Sequence, residues 1–99
     1  MEITQYQKKK LRGLSHHLKP VVMLGNAGLT EGVMNELINS LEHHELIKVR
    51  ISAEDRQSRD TAIKSMCDQS GATLIQRVGN IVTLFKRNPQ NTRISLKKD

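Results

Sequence analysis

Residues 20–34 read Pro-Val-Val-Met-Leu-Gly-Asn-Ala-Gly-Leu-Thr-Glu-Gly-Val-Met. A short apolar run stops at Gly25, turns through Gly25-Asn26-Ala27-Gly28, and restarts as a helix behind Thr30. This arrangement of strand, Gly-x-x-Gly turn and helix start constrains the fold more than any other feature of the chain. It demands a crossover unit in which a strand feeds a helix directly. Two glycines bracketing two small residues leave little side-chain bulk, so another backbone can approach and loop amides can point outward. The following helix brings unpaired N–H groups and the positive end of its dipole. That combination suits a phosphate, although a tight strand-to-helix turn by itself also calls for glycines.

Charge bears on that choice. The net charge is +6, and it is unevenly placed. Residues 1–29 carry Lys8, Lys9, Lys10, Arg12 and Lys19 against Glu2 alone. Residues 30–47 carry Glu31, Glu36, Glu42 and Glu45 and no Lys or Arg. Residues 72–99 carry Arg77, Lys86, Arg87, Arg93, Lys97 and Lys98 against Asp99. If both basic ends fold against the Gly-x-x-Gly loop they surround it with positive surface, the electrostatic footprint of a nucleic-acid binder. Charge placed only for solubility tends to be mixed in sign. With Tyr6 and Phe85 as the only aromatic residues, a base-stacking platform is disfavoured and backbone recognition favoured.

Ninety-nine residues suit one domain spanning 1–99, with a basic, loosely held tail from about residue 88. A single cysteine, Cys67, excludes an internal disulfide and fits a reducing compartment. No signal sequence opens the chain and no apolar run matches a bilayer span, so a cytoplasmic protein without a membrane partner is expected.

Helical spacing predicts a first helix over 4–18, capped by Thr4 and ended by Pro20, with Leu11, Leu14 and Leu18 buried. Lys8, Arg12, Ser15 and Lys19 fall on a second, exposed stripe. The run Val21–Leu24 reads as a central strand covered on both faces. Thr30 caps a second helix over roughly 30–43, buried through Val33, Leu37, Ile38 and Leu41. Leu46–Ser52 alternates like a half-buried strand, with Arg50 on its polar side. Asp55–Ser70 is a third helix stopped by Gly71. Thr73–Val78 and Ile81–Lys86 form a hairpin about Gly79-Asn80. The order α-β-α-β-α-β-β predicts a compact two-layer α/β domain on a mixed four-stranded sheet.

Nothing in the pattern carries catalysis. The pairs His16-His17 and His43-His44 lack metal-ligand spacing, because adjacent helical residues point about 100° apart. Cys67 sits on an apolar stripe, and in Glu54-Asp55 the aspartate is better placed as a cap. Neither an enzyme activity, a cofactor, a metal nor a small-molecule substrate is expected.

Three stretches together resemble a known family: Leu18–Val33, Leu41–Arg50, and Val78-Gly79 with Ile81–Arg87. They are similar to the CRM domain (chloroplast RNA splicing and ribosome maturation), above all in its stand-alone bacterial, YhbY-like form, and the likeness runs on into Arg93-Ile-Ser-Leu96. The resemblance implies an α/β fold like the C-terminal domain of bacterial translation initiation factor three. It also implies RNA binding and association with large ribosomal subunit precursors. Its Gly-x-x-Gly falls on Gly25, Asn26, Ala27 and Gly28. Plant members often place a basic residue where Asn26 stands, which shifts electrostatic load to the flanking helix. The expected RNA contacts are therefore the loop, Lys8, Arg12 and Lys19, Lys86, Arg87 and Arg93, and Arg50, on a monomer that binds ribosomal RNA. The competing expectation is a module whose acidic second helix docks a basic ribosomal protein.

Overall fold

The computed structural model describes residues 3–52 and 55–96. Glu54 of the Glu54-Asp55 pair, and Lys97 and Lys98 of the tail, lie outside these residues. Seven elements follow in the expected order: α1 (Gln5–Ser15), β1 (Pro20–Leu24), α2 (Glu31–His44), β2 (Leu46–Ile51), α3 (Arg56–Ser70), β3 (Thr73–Val78) and β4 (Ile81–Phe85). Among the described residues no helix is long and apolar enough to cross a membrane.

Local chemistry sets the helix ends. Thr4 and Gln7 form a reciprocal capping box. The Thr4 hydroxyl accepts from Gln7 N–H at 3.1 Å and the Gln7 side chain accepts from Thr4 N–H at 3.0 Å. The Thr30 hydroxyl accepts from Val33 N–H and the Asp55 carboxylate from Ser58 N–H. Gly71, at φ +79°, closes α3 in the left-handed region. The first helix ends at Ser15 rather than Leu18. The last turn tightens as His16 N–H bonds Gly13 O, and the Ser15 hydroxyl donates to Arg12 O at 2.8 Å.

The sheet order is β1-β2-β4-β3. β1 and β2 are parallel, and β4 pairs antiparallel with both β2 and β3. The α3 crossover therefore passes over β4, which is inserted between the strands it connects. Gly79, at φ +59°, opens the two-residue turn.

Alternation along β2 sends Ile47, Val49 and Ile51 to one side, where they join Leu37 and Leu41 of α2, Ile63 and Met66 of α3, and Val22, Leu24, Val82 and Leu84. Leu46 points the other way, into a smaller cluster with Leu11 of α1, Ile75, Phe85 and Leu96. The sheet and the α2/α3 pair are the two main layers, and α1 covers part of the opposite face.

Two expectations about burial are corrected. Only Leu11 and Ser15 of α1 are buried, whereas Leu14 and Leu18 are exposed. The early end of the helix takes Leu18 off the leucine stripe and puts Ser15 on the buried seam. β1 is not a central strand but an edge, with Val21 and Met23 exposed at 47% and 63%. Its open side is the α1 face, which α1 does not fully cover.

The tail is also tied down rather than loosely held. Glu45, fully buried, sits at φ +61° as the lone residue between α2 and β2. Its carboxylate accepts backbone N–H bonds from Asn88 (2.6 Å), Arg93 (2.6 Å) and Ile94 (3.0 Å). Arg87 Nη1 completes the shell, donating to Glu45 at 3.1 Å and to Ile94 O at 2.7 Å. Burial pushes the Glu45 carboxyl pKa up, but these donors outweigh it and hold the group below its usual value.

Candidate nucleic-acid interface

The Gly-x-x-Gly loop follows β1 at the end of the sheet where β2 also stops, and Ser52 N–H bonds Leu24 O at 2.8 Å. Within the loop Gly28 N–H bonds Gly25 O at 3.0 Å, closing a β-turn. Asn26 and Ala27 N–H groups make no hydrogen bond among the described residues and stand at the exposed tip. The two glycines have different roles. Gly28, at φ +79°, occupies a conformation that strains other residues; Gly25 does not, and a Cβ at either would meet nothing within 4 Å.

The N-termini of α2 and α3 both lie at this end. A cavity of about 310 Å³ runs between the loop, Ser52, and Ser58 and Ala62 of α3. The Asp55 carboxylate already occupies the α3 terminus; its bond from Ser58 N–H holds its pKa below the usual range. The loop amides and the first amides of α2, Glu31 and Gly32, are thus the free donors among the described residues.

Strand register locates the remaining candidates. Leu46 pairs with Phe85 and Arg50 with Ile81, so β4 ends where β2 begins. Lys86 and the Arg87–Arg93 segment therefore lie a strand's length from the loop, roughly 16 Å at about 3.3 Å per residue. Lys19, just before β1, lies at that same far end. Among the described residues the expected gathering of both basic chain ends around the loop does not occur, because antiparallel pairing of the last strand carries Lys86, Arg87 and Arg93 away from it. Arg87 is moreover held by Glu45, with its guanidinium carbon 5.2 Å from the centre of the Phe85 ring. It is a structural residue.

Lys8 and Arg12 fall differently. Gln7 borders the C-terminal segment at Arg93–Leu96, and Leu14 borders Ile94. That side of α1 faces the tail. Helical periodicity puts half-buried Lys8 and Arg12 across the Leu11–Ser15 seam, over the sheet and toward the loop end. Lys48 and Arg50 stand on the same face, with Arg50 exposed beside its register partner Met23. Arg50 makes no ion pair with a nearby Glu among the described residues.

The sheet thereby separates the charges. The four strands and α1 contain no Asp or Glu. Every described carboxylate lies on α2, on α3, at the α3 cap, or, as Glu45, is buried. Arg77 fits the division: its partner is Asp60 of α3, on the α2/α3 side. The acidic face of α2 is reduced to Glu31, Glu36 and Glu42, since Glu45 points inward.

Sequence reasoning missed Lys48, Arg56 and Arg59. Arg56 is exposed on the first turn of α3, and Arg59 Nη1 donates to Asn80 Oδ1 at 2.6 Å, tying the hairpin tip to the loop end. The alternation that singled out Arg50 also puts Lys48 on its face. The cap at Asp55 fixes where Arg56 and Arg59 sit.

The family model of the CRS1 / YhbY (CRM) domain matches residues 3–86. The chain belongs to this family. The match stops before Arg93–Leu96. An RNA-binding protein of Haemophilus influenzae is 48% identical over 80 residues, covering 81% of each chain. A relative in Pseudomonas aeruginosa, named a probable RNA-binding protein, is 41% identical over 90 residues, covering 91% of this chain and 86% of its own. The solution structure of a Staphylococcus aureus protein matches with a TM-score of 0.82 at 25% identity, over 97% of this chain and all of that one.

Proposed function

We propose that this chain binds structured RNA through the face of the sheet that α1 shares with the open ends of β1 and β2. The observation that carries the reading is the charge division: Lys8, Arg12, Lys48 and Arg50 stand on a face whose strands and helix hold no carboxylate. The free Asn26 and Ala27 amides at its upper edge accept a phosphate, and Arg56 extends the footprint around the loop. The relatives named as RNA-binding proteins support the choice of nucleic acid. The substrate we propose is ribosomal RNA in a precursor of the large subunit, recognised by backbone and shape, because the face offers no aromatic platform. Arg87 takes no part in this interface, and Lys19, Lys86 and Arg93 are placed away from the loop.

The test is a titration of a large-subunit ribosomal RNA fragment across a salt series, with amide shifts mapped by NMR. About four neutralised phosphates give a slope of log K against log salt near −3. Shifts should gather on Lys8–Arg12, Asn26–Ala27 and Lys48–Arg50. A slope near zero, or shifts gathered on Glu31, Glu36 and Glu42, would reject the reading. Equal affinity for an unrelated duplex would keep RNA binding and remove the ribosomal preference.

A further inference from the structure

At the end of the sheet opposite the Gly-x-x-Gly loop lies a groove of about 450 Å³ that the RNA reading does not use. Leu14, Leu18, Val21 and Ile94 form its walls over Leu46 and Ile47. Leu14, Leu18 and Val21 are 45%, 37% and 47% exposed, a large solvent-facing apolar surface for so small a protein. Its remaining lining residues are His17, Lys19 and His44, with no carboxylate among them. The Ile94 wall is fixed in place, because its N–H is bonded to buried Glu45 at 3.0 Å.

We infer that this groove docks a segment of another protein that presents large aliphatic side chains flanked by Asp or Glu. The apolar walls require aliphatic groups to displace water, and the rim of Lys19, His17 and His44 selects carboxylates beside them. RNA fits less well: the only rings in the groove are His17 and His44, and its floor and walls are aliphatic, with polar donors confined to the rim. A second copy of the chain fits poorly too. Its acidic surface is α2, and none of the exposed large hydrophobic residues lies on that helix.

The probe is a short synthetic peptide of alternating Leu and Glu, followed by NMR on the full chain, with two control peptides in which Glu becomes Lys or Leu becomes Ala. The Leu/Glu peptide should shift amides of Leu14–Val21, His44–Ile47 and Ile94, and both controls should bind roughly tenfold or more weakly. Leu18→Ser and Lys19→Glu, both at exposed positions, should each weaken the peptide by a similar factor while RNA affinity stays unchanged. Equal binding of the Lys peptide, or no shifts in the groove, overturns the inference. Shifts of the same amides on adding ribosomal RNA assign the groove to the RNA face. Shifts on concentrating the protein alone assign it to self-association. Either result also overturns it. Because the readout is independent of RNA, its failure leaves the RNA-binding reading standing.

Discussion

Arg87 holds its Nη1 3.1 Å from Oε1 of Glu45, a carboxylate with no solvent exposure, and closes the end of the sheet remote from the Gly-x-x-Gly loop. Backbone N–H groups of Asn88, Arg93 and Ile94 complete the cluster. One side chain thereby ties the α2–β2 junction to a segment more than forty residues later. Neutralising Glu45 leaves half-buried Arg87 without its counter-charge and three backbone donors without their carboxylate acceptor, which costs about 3 kcal/mol. Glu45→Gln should lower stability in urea denaturation by about that amount and release residues 88–96 to rapid amide exchange. An unchanged urea midpoint would mean that the cluster contributes nothing to folding.

Stability should depend on pH through the same group. The Glu45 pKa is held below its ordinary 4.5 in the folded state. A depressed carboxylate stabilises the fold above its unfolded value and loses that contribution as pH falls through the folded one. The denaturation midpoint should therefore be steady above about pH 5 and drop as pH falls below about 4.5. The decline should be shallower in Glu45→Gln. A variant that tracks the wild-type profile would assign the acid sensitivity to other carboxylates.

The two loop glycines should separate folding from binding. Gly28→Val puts a branched side chain at φ +79° and should destabilise by about 1–2 kcal/mol. At Gly25 an added Cβ meets nothing within 4 Å and φ is not in the left-handed region, so Gly25→Val should melt within about 0.5 kcal/mol of wild type yet bind RNA more weakly. If Gly25→Val bound normally, close approach of RNA to the loop would be excluded and the glycines would serve the turn alone.

Charge removal should depend on which end of the sheet it touches. Lys8→Gln, Arg12→Gln, Lys48→Gln and Arg50→Gln combined should weaken RNA binding. They should also flatten the salt slope by about 0.7 to 0.9 for each phosphate that is no longer neutralised. Lys86→Gln with Arg93→Gln, at the far end, should change the slope little. A reversed ranking would move the RNA surface to the C-terminal segment.

What could be read from the sequence was what is decided locally. The caps at Thr4, Thr30 and Asp55, the stop at Gly71 and the hairpin about Gly79-Asn80 involve groups a few residues apart, so residue type suffices. Fold class followed from the order of these elements, and the family from the resemblance of Leu18–Val33, Leu41–Arg50 and Ile81–Arg87. Readings that depended on distant packing went astray. Val21–Leu24 looked like a strand covered on both sides because an apolar run cannot say what lies over it; Val21 and Met23 face outward. Glu45 counted only as one more charge of the acidic segment 30–47, because its donors come from residues 42 to 49 positions later. The charge division and the split of basic residues between two ends depend on strand order, which no local pattern encodes.

That strand order has a consequence for synthesis. β4 is the last strand in chain order yet lies in the interior of the sheet, between β2 and β3. Until it leaves the ribosome, β1 and β2 can pair through the α2 crossover, but β3 has no neighbour to receive it. The apolar residues of both clusters then wait on Val82, Leu84 and Phe85. The domain therefore cannot assemble piecemeal as it emerges, and its closing step resembles a zipper drawn from the C-terminal hairpin inward. Shortened nascent chains that stop before Ile81 should stay open to protease, and those that expose residues through Leu96, which supply the Glu45 donors as well as β4, should become resistant.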